Sequence, residues 1–199
     1  MKRITIPKEF TGNVFFTSDL HFSHFNITKY CNRPFISRQE MNEALTTNWN
    51  EVVTNDDLVF VLGDFCFGSK KEWKKHLDNL NGKKYLILGN HDRPDEIYHD
   101  GFESVDDIVY LSIWEEETET YTNFCLFHYC MTSWPGQWNG VYHCFGHSHT
   151  SPLSTKQLDV DYIANRPLPS YDVGVDNNNF KPVLYQDLKT IFTQQLHGK

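Results

Sequence analysis

Three apolar runs of strand length punctuate the first half of the chain: Val14-Phe15-Phe16-Thr17-Ser18, Leu58-Val59-Phe60-Val61-Leu62 and Tyr85-Leu86-Ile87-Leu88. Successive apolar positions without alternation are what strands buried on both faces require. Between the runs the spacing turns helical. Met41, Leu45, Trp49 and Val52 share one face of a segment reaching about Val53, and Trp73, His76, Leu77 and Leu80 share one face of the next. Ser37 with Glu40, and Ser69 with Glu72, have capping-box spacing at the start of these helices, and Asn81-Gly82 closes the second. The second half reads as mostly β, with strands near Val105–Ile113, Tyr121–Phe127, Val141–Phe145 and Tyr171–Val175 before a final helix over Tyr185–Leu196. This order predicts an α/β (α+β) fold, a four-layer αββα sandwich of two mixed β-sheets flanked by helices.

Each of the three runs ends in chemistry. Asp19-Leu20-His21 follows the first, Gly63-Asp64 the second and Gly89-Asn90-His91-Asp92 the third, while His128 and Gly146-His147-Ser148-His149 follow strands of the second half. Hard oxygens mixed with imidazole nitrogens suit manganese, iron, zinc or nickel. Two such ions about 3.5–4 Å apart can share a carboxylate, activate a water and clamp a phosphate for in-line displacement. One Asp-x-His means little. Five pieces in order, three of them on loops past successive strand ends, predict hydrolysis of phosphate esters.

At these residues the chain resembles the calcineurin-like metallophosphoesterase family, whose pattern runs Asp-x-His, Gly-Asp-x-x-Asp, Gly-Asn-His-(Asp/Glu), His, Gly-His-x-His. The match spans Asp19 to His149. The chain is also similar to small single-domain phosphoesterases of bacteria and phages, which have features like His24-Phe25-Asn26-Ile27, Arg33-Pro34-Phe35 and His128-Tyr129 followed by Trp134. The resemblance implies that Asp19, His21, Asp64 and His149 bind one ion, and that Asp64, Asn90, His128 and His147 bind the other. It implies that metal-bound hydroxide attacks a phosphodiester or phosphomonoester, with His91 assisting the leaving oxygen and Asp92 orienting the His91 ring. The family's second Asp is Phe67 here. Metal binding is expected to survive that change, because the residue at that position is usually a support and not a ligand.

Around this centre, His24 is a candidate contact to phosphate or metal-bound water. Arg33 is a candidate bidentate phosphate clamp, and Tyr129, Trp134 and Trp138 are candidate stacking surfaces. His143 reads as core or support, Asp172 and Asp176 as cap or turn residues, and His76, His99 and His197 as surface residues. The connections Tyr129–Gly140 and Thr150–Ser170 are candidate cleft walls.

Length and composition add limits. At 199 residues with 39% hydrophobic content, residues 1–199 are expected to form one domain with a sizeable core. Five cysteines without a Cys-x-x-Cys pair read as reduced thiols, Cys125 and Cys144 as packing groups. The net charge of −8 argues against extended nucleic-acid binding or attachment to anionic membranes. No apolar stretch approaches the roughly 20 residues of a membrane span, and no signal-peptide pattern follows Met1, so a cytoplasmic protein with a small phosphorylated substrate is expected. The run Glu115-Glu116-Glu117 with Glu119 reads as a solvated hairpin tip. Two other functions stay open: a nuclease acting on exposed nucleic-acid ends, and a non-catalytic metal-binding scaffold for protein interaction.

Overall fold

The computed structural model describes residues 1–92, 100–150 and 165–197. Two five-stranded mixed sheets flanked by helices make up the fold. In one sheet β2 (Val14–Thr17), β3 (Leu58–Val61), β4 (Lys83–Ile87) and β5 (Ser104–Asp106) run parallel, and β10 (Val183–Leu184) joins antiparallel beside β2. The other sheet has the order β1 (Lys2–Ile6), β6 (Ile108–Glu115), β7 (Thr120–Phe127), β8 (Tyr142–Phe145), β9 (Ser170–Asp172), with only β6 and β7 antiparallel.

The sheets meet over a shared core. Phe16, Phe60, Leu58 and Ile87 of one sheet pack with Val109, Leu111, Phe124 and Leu126 of the other. Each such side chain contributes about 1.5–3 kcal/mol on burial. The final helix, α4 (Tyr185–His197), adds Tyr185, Leu188 and Phe192 to the same core. Phe15, Val59, Val61 and Leu86 point the opposite way, toward α2 (Arg38–Val52) and α3 (Lys70–Asp78). Both helices start as their sequence predicts. Ser37 accepts the Glu40 N–H, and Ser69 and Glu72 form a complete reciprocal capping box. Glu40 reaches back one residue further, to the Ile36 N–H at 2.7 Å.

Register carries the fold toward function. Thr17 pairs with Val61, and Val61 with Leu86, so the three apolar runs end at one level and deliver their loops side by side. The pairing continues past the strands, where the Asp19 N–H donates to the Gly63 carbonyl at 3.0 Å and the His21 N–H to the Asp64 carbonyl at 2.9 Å. A bridge between Ser18 and Gly174 brings the turn at Val175–Asn177 to the same edge.

Some elements differ from expectation. The single strand expected over Val105–Ile113 is two strands in different sheets, broken at the exposed Asp107. The edge strands β1 and β10 and the short helix α1 (Ile27–Tyr30) went unpredicted, because mostly exposed or very short elements carry little apolar periodicity. Glu115 does not belong to a solvated tip: it ends β6, is buried, and accepts from the Tyr185 hydroxyl and the Lys189 ammonium. His76 is buried as well, stacked on Phe22 at 4.4 Å with the Ser23 hydroxyl 3.1 Å from its Nε2. Among the described residues, no helix is long and apolar enough to cross a membrane.

Candidate metal centre

The loops that end β2, β3 and β8 share an unusual backbone. Asp19, His21, Asp64, His147 and His149 have φ of 57°, 51°, 54°, 68° and 46°, half of the ten non-glycine residues with positive φ among those described. L-residues avoid this region, and such local strain gathers at functional sites held by the surrounding structure. Gly63, at φ +94°, permits the turn into Asp64. A Cβ there would also collide with His128 Nδ1, so the absence of a side chain lets β3 and His128 approach.

The side chains then converge. Asp64 Oδ2 lies 3.4 Å from His21 Nε2 and 3.7 Å from His128 Nε2, a position between the two rings. His149 Nε2 lies 3.7 Å from Asp19 Oδ1, and Asn90 Oδ1 lies 3.0 Å from His128 Nε2. Asp19, His21 and His149 form one group that could hold an ion, and Asp19, Asp64 and His128 form another, the donor atoms of each lying within 4.8 Å of one another. His147 stands beside them, its N–H bonded to the Asp19 carboxylate at 2.9 Å and its ring 5.1 Å from that of His128.

Two histidines have their tautomer set by what they touch. His128 Nδ1 is 2.7 Å from the Leu62 carbonyl, which only accepts, so this nitrogen carries the proton and Nε2 turns its lone pair inward. His149 Nδ1 is 2.8 Å from Asp176 Oδ2, which likewise aims Nε2 at Asp19. Burial works against a second proton on His149, but Asp176, Cys31 and Asp19 together outweigh it and lift the imidazole to about 11, so an ion bound at Nε2 would have to displace the proton held there. Desolvation pushes the Asp19 carboxyl up and the His21 imidazole well down. His21 Nε2 is buried with no hydrogen-bond partner among the described residues. An orphaned buried polar atom costs about 1–3 kcal/mol, and a cation among these donors would remove that cost. The residues therefore fit a metal.

The supporting residues depart from expectation. Arg33 is no phosphate clamp: it is buried, its guanidinium grips both Asp176 oxygens at 2.8 Å, and it donates to the Asp19 and Leu20 carbonyls at 2.6 and 3.0 Å. With its donors spent inside the protein, Arg33 ties the β2 loop to the Asp176 turn. Asp92 accepts from the N–H groups of Asp64, Phe65 and Gly89 at 2.8–3.0 Å rather than from the His91 ring, so it locks two loops together. Trp134 is no stacking surface either. It is buried with Nε1 donating to the Val141 carbonyl at 2.7 Å, covering the outer face of the second sheet around Cys125.

Asp172 binds the Gly174 N–H at 2.8 Å as a turn residue, and also takes the Thr150 hydroxyl. His143 is buried support, and His197 is exposed. Tyr129 stays at the site, its ring 4.5 Å from His147, whereas Trp138 is almost fully exposed. His24 lies 3.4 Å from His21 through their Nδ1 atoms. His91 is exposed beside the site, its N–H bonded to Asp64 Oδ1 at 2.9 Å. His99 and most of the expected cleft wall, residues 151–164, lie outside the described residues. Asp176 is the supporting residue that sequence reading missed as a partner of the centre. It sits 27 residues beyond His149, and its only local signal is a turn-forming Asp-Asn-Asn-Asn string. Cys31 joins His149 and Asp176 in a third group, though Arg33 already holds both Asp176 oxygens.

Comparison with known proteins identifies the frame. Residues 12–188 match the profile of the calcineurin-like phosphoesterases. The chain belongs to that family. It is 35% identical over 177 residues to uncharacterized protein MJ1445 of Methanocaldococcus jannaschii, covering 85% of each chain. It is 38% identical over 92 residues to the Gene 66 protein of Mycobacterium phage D29, covering 45% of each. The crystal structure of the Aquifex aeolicus protein AQ665, of unknown function, superposes with a TM-score of 0.67 at 22% identity, covering 91% of this chain and 100% of that one, a likeness of fold. Membership in the calcineurin-like phosphoesterase family, together with the Asp and His groups, supports a metal-dependent phosphoester hydrolase.

Proposed function

We propose that this calcineurin-like phosphoesterase hydrolyses phosphate esters at a dinuclear centre, with manganese the first metal to try. Asp19, His21, Asp64 and His149 would hold one ion and Asp64, Asn90, His128 and His147 the other. The observation that carries the reading is the buried, unpartnered His21 Nε2 facing Asp64 Oδ2 at 3.4 Å, with His128 Nε2 on the other side of that oxygen. Two cations there would activate water and stabilise the entering and leaving oxygens of an in-line displacement. The chain's own groups do the rest. Arg33 and Asp176 hold His149 in one tautomer, Leu62 does the same for His128, and Asp92 fixes the loops of Asp64 and Asn90.

His91 is the group for the leaving oxygen. It is exposed at the site with its ring 5.6 Å from that of His21, and its backbone is anchored on Asp64. General acid help of this kind gives about 10²–10⁴-fold, roughly 3–5 kcal/mol. The test is hydrolysis of p-nitrophenyl phosphate and bis-p-nitrophenyl phosphate by metal-stripped protein after adding manganese, iron, nickel or zinc. Restored cleavage, lost in His91→Ala with two ions per chain retained, is the expected result. Absence of metal uptake would overturn the reading in favour of a non-catalytic scaffold.

A further inference from the structure

Phe67 stands where the family pattern has an Asp, and the structure places it on the surface at the rim of the centre, 48% exposed. One face of its ring is backed by His24, stacked at 4.4 Å and 20°, and its edge approaches His91 at 5.6 Å. An exposed apolar side chain is ordinary in itself. This one is held flat by an imidazole next to the residue assigned to the leaving oxygen, so a planar leaving group would meet its open face.

The segment just past Phe67 has the opposite character. Gly68 and Ser69 lead directly into α3, whose nine residues expose Lys70, Lys71, Lys74 and Lys75. Lys74 pairs with Asp78 at 2.9 Å, and Glu72 is engaged by Ser69 and Arg38. Among the described residues Lys70, Lys71 and Lys75 have no ion-pair partner. These lysines, with Asp78 and Asn79, line a shallow depression. A chain of net charge −8 thus concentrates four of its 18 cationic side chains on one short helix that starts three residues past the rim aromatic. At 1.5 Å per residue this helix is about 13 Å long, room for a short run of phosphates and not a long track.

We infer that Phe67 and the lysine face of α3 form a subsite for single-stranded nucleic acid, in which a base next to the scissile phosphate stacks on Phe67 and following phosphates lie along Lys70, Lys71 and Lys75. The inference rests on the proposed phosphoesterase reading for the direction of the strand, because His91 marks the leaving side. Base–aromatic stacking with a basic groove is the general chemistry of single-strand recognition. The substrate class is then a phosphodiester with a nucleoside leaving group.

The test uses manganese-loaded protein and fluorescence anisotropy with two labelled probes, hexathymidylate and a hexamer of abasic deoxyribose phosphate, across a salt series. Phe67→Ala should weaken hexathymidylate roughly 5- to 150-fold and leave the abasic probe unchanged, with Phe67→Trp restoring binding. The triple variant Lys70→Gln, Lys71→Gln, Lys75→Gln should weaken both probes and flatten the salt dependence by about two units of log–log slope. Equal weakening of both probes by Phe67→Ala would overturn the stacking role, leaving Phe67 a prop for His24. Unchanged binding and slope in the lysine variant, or no binding of hexathymidylate by the unaltered protein, would overturn the subsite. Bis-p-nitrophenyl phosphate hydrolysis, run alongside, separates the two readings: binding without any metal-restored hydrolysis refutes the phosphoesterase and leaves the subsite standing, whereas hydrolysis without binding does the reverse.

Discussion

The two ends of the sheets bury charge in opposite ways. At the end where the parallel strands β3 and β4 begin, Asp57 is buried yet accepts from the Asn13 and Thr54 N–H groups, both at 2.7 Å, and from the Thr54 hydroxyl at 2.9 Å. Burial works against its charge, but those bonds prevail and hold the carboxyl below its ordinary range. Lys84, on the same end, caps the Leu80 and Gly82 carbonyls at 2.7 and 2.8 Å. Where the strands finish, Asp19 is equally buried but has its carboxyl pushed up by desolvation, and His21 Nε2 has no hydrogen-bond partner among the described residues. One end spends its polar groups on itself and gains stability. The other satisfies its carboxylates only in part, leaves His21 Nε2 unmet among the described residues and holds them in strained backbone, which is what a ligand-binding site requires.

Arg33 tests where that boundary runs, and with the largest expected effect. It lies at the site end but is satisfied like the residues of the far end. Arg33→Met would leave Asp176 buried with only the His149 imidazole facing it and strip the Asp19 and Leu20 carbonyls of their donor, and breaking a buried pair in this way typically costs about 3–5 kcal/mol. Urea unfolding of metal-free protein should show a loss of about that size. A loss under about 1 kcal/mol would mean that Asp176 belongs with the partly satisfied groups of the centre.

A second expected effect is set by pH, away from both ends. His143 donates from Nδ1 to the Cys125 carbonyl at 3.0 Å and accepts the Met131 N–H on Nε2 at 3.1 Å, so both nitrogens are satisfied in the neutral form. Burial lowers its imidazole to about 4. The folded value is below the ordinary 6.5, so between those limits the unfolded chain binds more protons and stability falls as the pH falls. From pH 7 to pH 5 the protein should lose about 2 kcal/mol more than a His143→Gln variant. Parallel losses in the two proteins would mean that His143 takes a proton in the folded state.

These cases show where sequence reading stopped. The convergence of the five loops with the proposed ligands was legible because each closes an apolar run, and parallel register brings the first three to one level. Ser69 and Glu72 were legible because capping is local. Arg33, Asp176 and His76 were not, since their partners lie 143, 27 and 53 residues away and are chosen by packing. Arg-Pro-Phe reads alike whether its guanidinium faces a cleft or a carboxylate in the interior. Asp176→Asn sharpens this point. It keeps the size but not the charge behind His149, so manganese binding, followed calorimetrically, should weaken about 10- to 100-fold. Unaltered affinity would make Asp176 a partner of Arg33 alone.

The smallest effect is the most discriminating, because one substitution can be made at both ends. Asp57→Asn replaces an oxygen that accepts two bonds from Thr54 with an N–H₂ group, or gives up the Asn13 bond, leaving donors unmet at a cost of about 1–3 kcal/mol. Asp19→Asn keeps an acceptor for the His147 N–H, which now reaches both oxygens at 2.9 and 3.1 Å, and removes a charge that burial disfavours. Metal-free Asp19→Asn should therefore unfold within about 0.5 kcal/mol of the parent, or slightly later, while losing metal affinity. Asp57→Asn should do the reverse, unfolding earlier with metal affinity intact. If both variants lost stability alike in the metal-free state, the Asp19 carboxylate would be holding its loops together as Asp57 does, and the strained backbone around it would be a structural joint, with binding a by-product.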